Sequence, residues 1–159
     1  MIRPLRRLLR YGIAGIVILA VVSDCQSEVF RFPGRYASIQ KTIQFVSDRD
    51  TILVSSGTYK ESLNYLGKQV VVLSEFGPQV TTLVPADQFG PIGTWLSSET
   101  RGAVLDGFTI TGYDINDPTD TVAMFELNHL SSPLIKNCIF RDNHGVTIVR
   151  IMDDGPAFV

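Results

Sequence analysis

Short runs of alternating apolar and polar residues dominate this chain, and two of them repeat each other at an offset of thirty residues: Val104-Leu105-Asp106-Gly107-Phe108-Thr109-Ile110-Thr111 and Leu134-Ile135-Lys136-Asn137-Cys138-Ile139-Phe140-Arg141. Each reads as apolar pair, polar residue, Gly or Asn, then alternating apolar positions. Gly and Asn accept the left-handed backbone conformation at least cost, so Gly107 and Asn137 mark a sharp bend between two short strands. Leu105 and Ile135 then point inward before the bend, and Phe108, Ile110, Cys138 and Phe140 after it. A strand-bend-strand unit cannot bury its own apolar face and must stack on the next copy. The pattern predicts a coil of parallel strands.

The remaining periodicity fits the same plan. Strands are expected over Thr51–Val54, Val70–Leu73, Thr81–Val84, Thr94–Leu96, Val104–Thr111, Val122–Leu127, Leu134–Phe140 and Val146–Ile151, separated by single Gly and Pro turn markers. One helix is expected, where Ile39, Thr42, Ile43 and Val46 recur at helical spacing and Ser38 stands ready to cap the first turn. A coil of strands has an open end, and a short amphipathic helix ahead of the first strand is a suitable plug. The expected fold is all-β: a solenoid of parallel strands with an N-terminal capping helix.

The segments Tyr36 to Gln44, Asp50 to Val54, Gly57-Thr58-Tyr59-Lys60-Glu61 and Ser74-Glu75-Phe76-Gly77-Pro78 resemble the N-terminal cap and first rung of right-handed parallel β-helix proteins of the pectin-lyase-like superfamily. Leu105 to Gly112 and Ser132 to Phe140 resemble its internal rungs. The resemblance covers about Tyr36 to Gly145 and implies an architecture, a right-handed parallel β-helix, more than an activity. Reactive members of that superfamily are mostly polysaccharide lyases, glycoside hydrolases and pectin esterases. The chain departs from the pattern at Ser56, where many relatives have Pro, and at the acidic stretch Asp114 to Asp120, which replaces a Gly-rich one.

Ahead of the repeat, Arg3, Arg6, Arg7 and Arg10 precede an apolar run from Gly12 to Val22. Basic then apolar is the order of an export signal. The run has eleven residues, short for a stable transmembrane anchor, which needs about 20. Residues 1–24 are therefore read as an export signal segment, 25–35 as a leader to the fold, and 36–159 as the parallel β-helix. The apolar ending Pro156-Ala157-Phe158-Val159 lacks a polar closing unit, so the repeat is expected to be incomplete at its C-terminal end, as in a fragment of a longer parent. The expected location is periplasmic, cell-surface or extracellular. Membrane contact is expected only through the signal segment, or through a lipid on Cys25, against which Asp24 counts because lipoprotein signals place a small residue there.

Residues 1–24 hold four of the fourteen basic and one of the sixteen acidic residues, which leaves ten against fifteen in the remainder. With no basic run interleaved with aromatics, nucleic acid is disfavoured as a partner. Of the two cysteines, Cys25 and Cys138, the second is expected to be buried and unpaired.

Candidate chemistry is sparse. Asp106, Asp142, Asp153 and Asp154 lie on or beside rungs with Arg141 and Arg150, yet none pairs convincingly as the acid–base work of a glycosidase would require, so no catalytic residue is assigned. Asp142-Asn143-His144-Gly145 reads as a turn. In the acidic loop, Asp114, Asn116, Asp117 and Asp120 place four oxygen-bearing side chains within seven residues, the ligand type that calcium prefers. The loop lacks a Gly for the tight calcium turn and a bidentate Glu at a matching distance, so the expectation is a solvated acidic loop with these four residues as weak calcium candidates and no cofactor required. Tyr113 is a candidate for stacking on a sugar ring and Arg141 for binding one, whereas Trp95 reads as core. The leading expectation is an exported, non-catalytic module that binds a polysaccharide or cell-surface glycan. The alternatives are the N-terminal part of a carbohydrate-active enzyme, or a structural adhesin or scaffold.

Overall fold

In a computed structural model, residues 26–116, 121–128 and 130–152 are described. Thirteen strands and one helix follow in chain order: β1 (Val29–Phe32), α1 (Ile39–Phe45), β2 (Thr51–Val54), β3 (Gly57–Lys60), β4 (Leu63–Asn64), β5 (Val71–Ser74), β6 (Thr81–Val84), β7 (Gly93–Trp95), β8 (Val104–Asp106), β9 (Thr109–Ile110), β10 (Val122–Asn128), β11 (Leu134–Lys136), β12 (Ile139–Phe140) and β13 (Val146–Met152). Every strand pairing is parallel. The strands form three sheets, ordered β1-β2-β5-β8-β11, β3-β6-β9-β12 and β4-β7-β10-β13. From β2 onward the chain visits the three sheets in the same order four times, and each round lies in register on the one before. Ile52, Val72, Leu105 and Ile135, for example, occupy one row of the first sheet.

The bends follow from single residues. Gly107 has φ +80° and Asn137 φ +53°, the left-handed values that the repeat demands at these two places. Between rounds, Asn137 Nδ2 donates to Asp106 Oδ1 at 2.8 Å, and Lys136 Nζ lies 3.2 Å from Asp106 Oδ2.

The helix forms where its periodicity places it. Ser38 Oγ accepts from the Lys41 amide at 2.9 Å, and Ile39, Thr42 and Ile43 are buried. Residues that come later in the chain hold both ends. The Glu61 carboxylate accepts from the Ile39 and Gln40 amides at 3.0 and 2.9 Å. Lys68 Nζ donates to the carbonyls of Ile43, Gln44 and Val46 at 2.8, 2.8 and 2.7 Å. An anion at the start and a cation at the end of a helix also complement its dipole.

One aromatic per round runs through the core. Tyr65 lies 4.9 Å from Trp95, Trp95 5.6 Å from Phe125, and Phe125 5.9 Å from Phe140, centroid to centroid. Gly93 makes room for the Trp95 ring, whose carbons would stand 2.8 Å from a Cβ at that position. At the corner between the third and first sheets the buried Glu99 carboxylate accepts from the Gly67 amide, the Ser97 amide and the Ser131 hydroxyl at 2.9, 2.8 and 3.1 Å, so one side chain ties three corners together.

The structure departs from the sequence reading in three respects. Val29–Phe32, assigned to the leader, pair with β2 and extend the first sheet, with Phe32 buried. The short strands β3 and β4 carry too little apolar pattern to announce themselves. Of the six residues expected inside, Leu105, Phe108 and Ile110 are buried, Ile135 and Cys138 are partly buried, and Phe140 is 38% exposed. The cause is position: Phe140 packs against Phe125 on one side, while among the described residues no further round covers the other.

Candidate binding site

The corner between β12 and β13 holds two of the residues that the sequence singled out, Arg141 and Asp142, and Asp114 approaches it. Phe140 ends β12, and Arg141, Asp142, Asn143, His144 and Gly145 lead into β13. The turn rests on two left-handed residues, Asp142 at φ +52° and Gly145 at φ +66°. At Gly145 a side chain would strike the Ile115 carbonyl oxygen. Asn143 does not supply a special backbone angle but spans to the previous round: its Nδ2 donates to the Ile110 carbonyl at 2.9 Å, and its Oδ1 accepts from the Tyr113 amide at 3.2 Å.

Beside this turn lies a cavity of about 300 Å³, lined by Met124, Phe140, Arg141, Asp142, Asn143, Val146 and Ile148. Its lining is mixed: Met124, Phe140, Val146 and Ile148 are apolar, and Arg141 and Asp142 carry charges. Arg141 and Asp142 stand 3.5 Å apart with side chains 63% and 74% exposed, and an ion pair in water at that distance holds its partners weakly. Both are free to turn to a ligand. With Asn143 committed to backbone groups, the groups open to a guest are one cation, one anion and the exposed part of the Phe140 ring.

The acidic loop reaches this corner. Asp114 forms a parallel bridge with His144, and the Ile115 amide donates to the His144 carbonyl at 3.1 Å. Asp114 and Asn116 are exposed, and Asn116 Nδ2 lies 3.4 Å from Asp114 Oδ1. Asp117 and Asp120, the other two calcium candidates, lie outside the described residues, as do Asp153 and Asp154. Among the described residues no three His, Cys, Asp or Glu side chains converge as a metal site would require.

Tyr113 occupies a different place from the one its candidacy needs. It is fully buried, and its hydroxyl donates to the Gly90 carbonyl at 2.9 Å. Burial pushes the phenol well above the ordinary tyrosine range, with the nearby Asp87 and Glu126 charges adding to the rise. No ring face is open to a sugar, because the rounds stacked on either side close over it. Trp95, read as core, is fully buried. Phe140, read as core, is the aromatic exposed at the cavity.

The remaining charged candidates are tied up between rounds. Asp106 is engaged by Lys136 and Asn137, and Arg150 Nη1 bonds Glu126 Oε1 at 3.1 Å. The Glu126–Arg150 pair went unread in the sequence because its members lie 24 residues apart, and only the register of β10 on β13 aligns them. Cys138 is a free thiol, raised above its ordinary pKa by burial and by the Asp106 charge. No known protein family matches this chain, and no curated protein and no solved structure is similar to it.

Proposed function

We propose that the chain is an exported, right-handed parallel β-helix of the pectin-lyase-like kind that binds a carbohydrate without transforming it, at the cavity beside Phe140. The single observation that supports this most is the make-up of the cavity. Apolar lining residues with one partly exposed aromatic side chain suit the C–H face of a sugar, while Arg141 and Asp142 beside them offer a donor and an acceptor for hydroxyl groups. Right-handedness is the expected sense for parallel strands joined by crossovers, and the three-sheet winding supports the β-helix assignment. The non-catalytic reading rests on the same place: among the described residues Asp142 is the one carboxylate lining the cavity, whereas hydrolysis takes two, about 5 to 10 Å apart.

Affinity electrophoresis of the protein through gels containing pectate, alginate, xylan or methylated pectin, with and without calcium, tests the proposal. Retardation by at least one polymer is expected. Phe140→Ala and Arg141→Ala should each weaken it about tenfold, the size of one lost stacking or charge-assisted contact. Retardation untouched by both substitutions would place binding elsewhere. Release of sugar fragments, abolished by Arg141→Ala or Asp142→Ala, would replace the binding function with an enzymatic one.

A further inference from the structure

The end of the molecule that α1 closes carries a surface feature that the core does not require. Tyr36, ahead of α1, and Phe45, its last residue, stack face to face, with centroids 5.0 Å apart and planes within 4°. Phe45 is nevertheless 61% exposed. Arg35 lies over the Tyr36 ring and Lys41 over the Phe45 ring, each 5.7 Å from the centroid, so each ring carries a cation. Among the described residues neither Arg35 nor Lys41 forms an ion pair. Arg31 is committed to Glu75, and Lys68 to the carbonyls of α1.

The chain enters the fold at this same end. Val29, which opens β1, stands three residues after Gln26, and β1 packs against α1 as well as β2. The apolar run Gly12 to Val22, itself preceded by the four arginines, ends just ahead of Gln26, with only Ser23-Asp24-Cys25 between. A leader of that composition engages membranes, and it would deliver the α1 end of the molecule to the membrane surface first.

We propose that the α1 end docks on an anionic lipid bilayer, with the Tyr36–Phe45 pair in the headgroup layer and Arg35 and Lys41 against lipid phosphates. The chemistry is complementary on both counts. Aromatic rings with a polar flank favour the interfacial zone, and each cation near an anionic leaflet raises affinity about fivefold. Two cations alone bind weakly, but in the precursor, before the export signal is removed, a leader in the bilayer holds them at high effective concentration, so their effect is to orient the molecule at that stage. Docking of this kind sets the cavity beside Phe140, in the fourth round, on the side away from the lipid. The inference shares the membrane-engaging leader with the export reading and draws nothing from the carbohydrate site.

The test uses the full-length chain with a reporter indole at either end, Phe45→Trp or Ile151→Trp, since Trp95 is fully buried and Ile151 is 66% exposed. Each protein is mixed with vesicles of phosphatidylcholine and phosphatidylglycerol bearing brominated acyl chains. The Phe45→Trp reporter should be quenched and the Ile151→Trp reporter should not. At saturating lipid, adding Arg35→Gln and Lys41→Gln to Phe45→Trp should lower the ratio of docked to undocked reporter about 25-fold, read as a loss of quenching, while Lys41→Arg should leave it unchanged. Equal quenching of both reporters would mean that the leader tethers the molecule without orienting it, and would overturn the proposal. So would quenching that is as strong in pure phosphatidylcholine, or no quenching at all. Loss of polysaccharide retardation with reporter quenching intact would count against the carbohydrate reading alone.

Discussion

Lys68 shows how much a single side chain carries in this fold. Its ammonium meets three carbonyls at the end of α1, and hydrogen bonds to a charged group are worth more than neutral ones. Lys68→Ala should therefore lower stability by about 1.5 to 3 kcal/mol, measured as the shift of the urea midpoint. A change of a few tenths would show that water replaces the ammonium without penalty. Nothing near Lys68 in the sequence foretells this role, because its partners lie 22 to 25 residues earlier. The same holds for Glu99, whose donors come from three different corners. Gly107 and Asn137 were legible for the opposite reason: a left-handed backbone is a demand of the residue itself, and few residue types meet it.

At the scale of elements, legibility followed the strength of the local pattern. The helix was readable because spacing, cap and burial agree within a few residues. The strands β2, β5, β6 and β10 alternate or run apolar between turn markers and were placed to within a residue or two. The strands β1, β3 and β4 were not: β3 and β4 carry little apolar pattern of their own, and β1, ahead of the helix, is defined by its pairing with β2. Gly93 is a sharper case. It looks like a turn marker but opens β7, where it leaves the space that the Trp95 ring fills. Gly93→Ala would push a methyl group into that ring and into Phe125, and should cost about 1 to 3 kcal/mol as overpacking does. Thermal unfolding followed at the Trp95 fluorescence maximum would report it, and an unchanged midpoint would mean that the aromatic column can shift aside.

For the whole molecule, burial of ionisable groups sets a limit on the alkaline side. Burial pushes the Tyr65 phenol well above its ordinary range and raises Tyr59 and Tyr113 as well. These phenols ionise more readily in the unfolded chain, so the stability they contribute is fully present below about pH 10 and is lost as the pH rises past that value. Cys138 contributes in the same direction, starting from about pH 8.5. The urea midpoint should hold steady from neutral pH to about 8 and fall steeply above about 10; a flat profile to higher pH would show that the phenols reach water without unfolding. The site was only partly legible at this scale. Arg141 and the approach of Asp114 could be read from the repeat, whereas the exchange of roles between Tyr113 and Phe140 depends on how many rounds stand on either side of each ring. The clamp on α1 has a consequence for the order in which the molecule comes together. Both residues that hold the helix, Glu61 and Lys68, belong to chain that follows it, one at the end of β3 and one beyond β4. The clamp cannot close until the first circuit of strands has come round to meet it, so the hydrogen bonds that hold the helix ends report on the first circuit as well as on the helix.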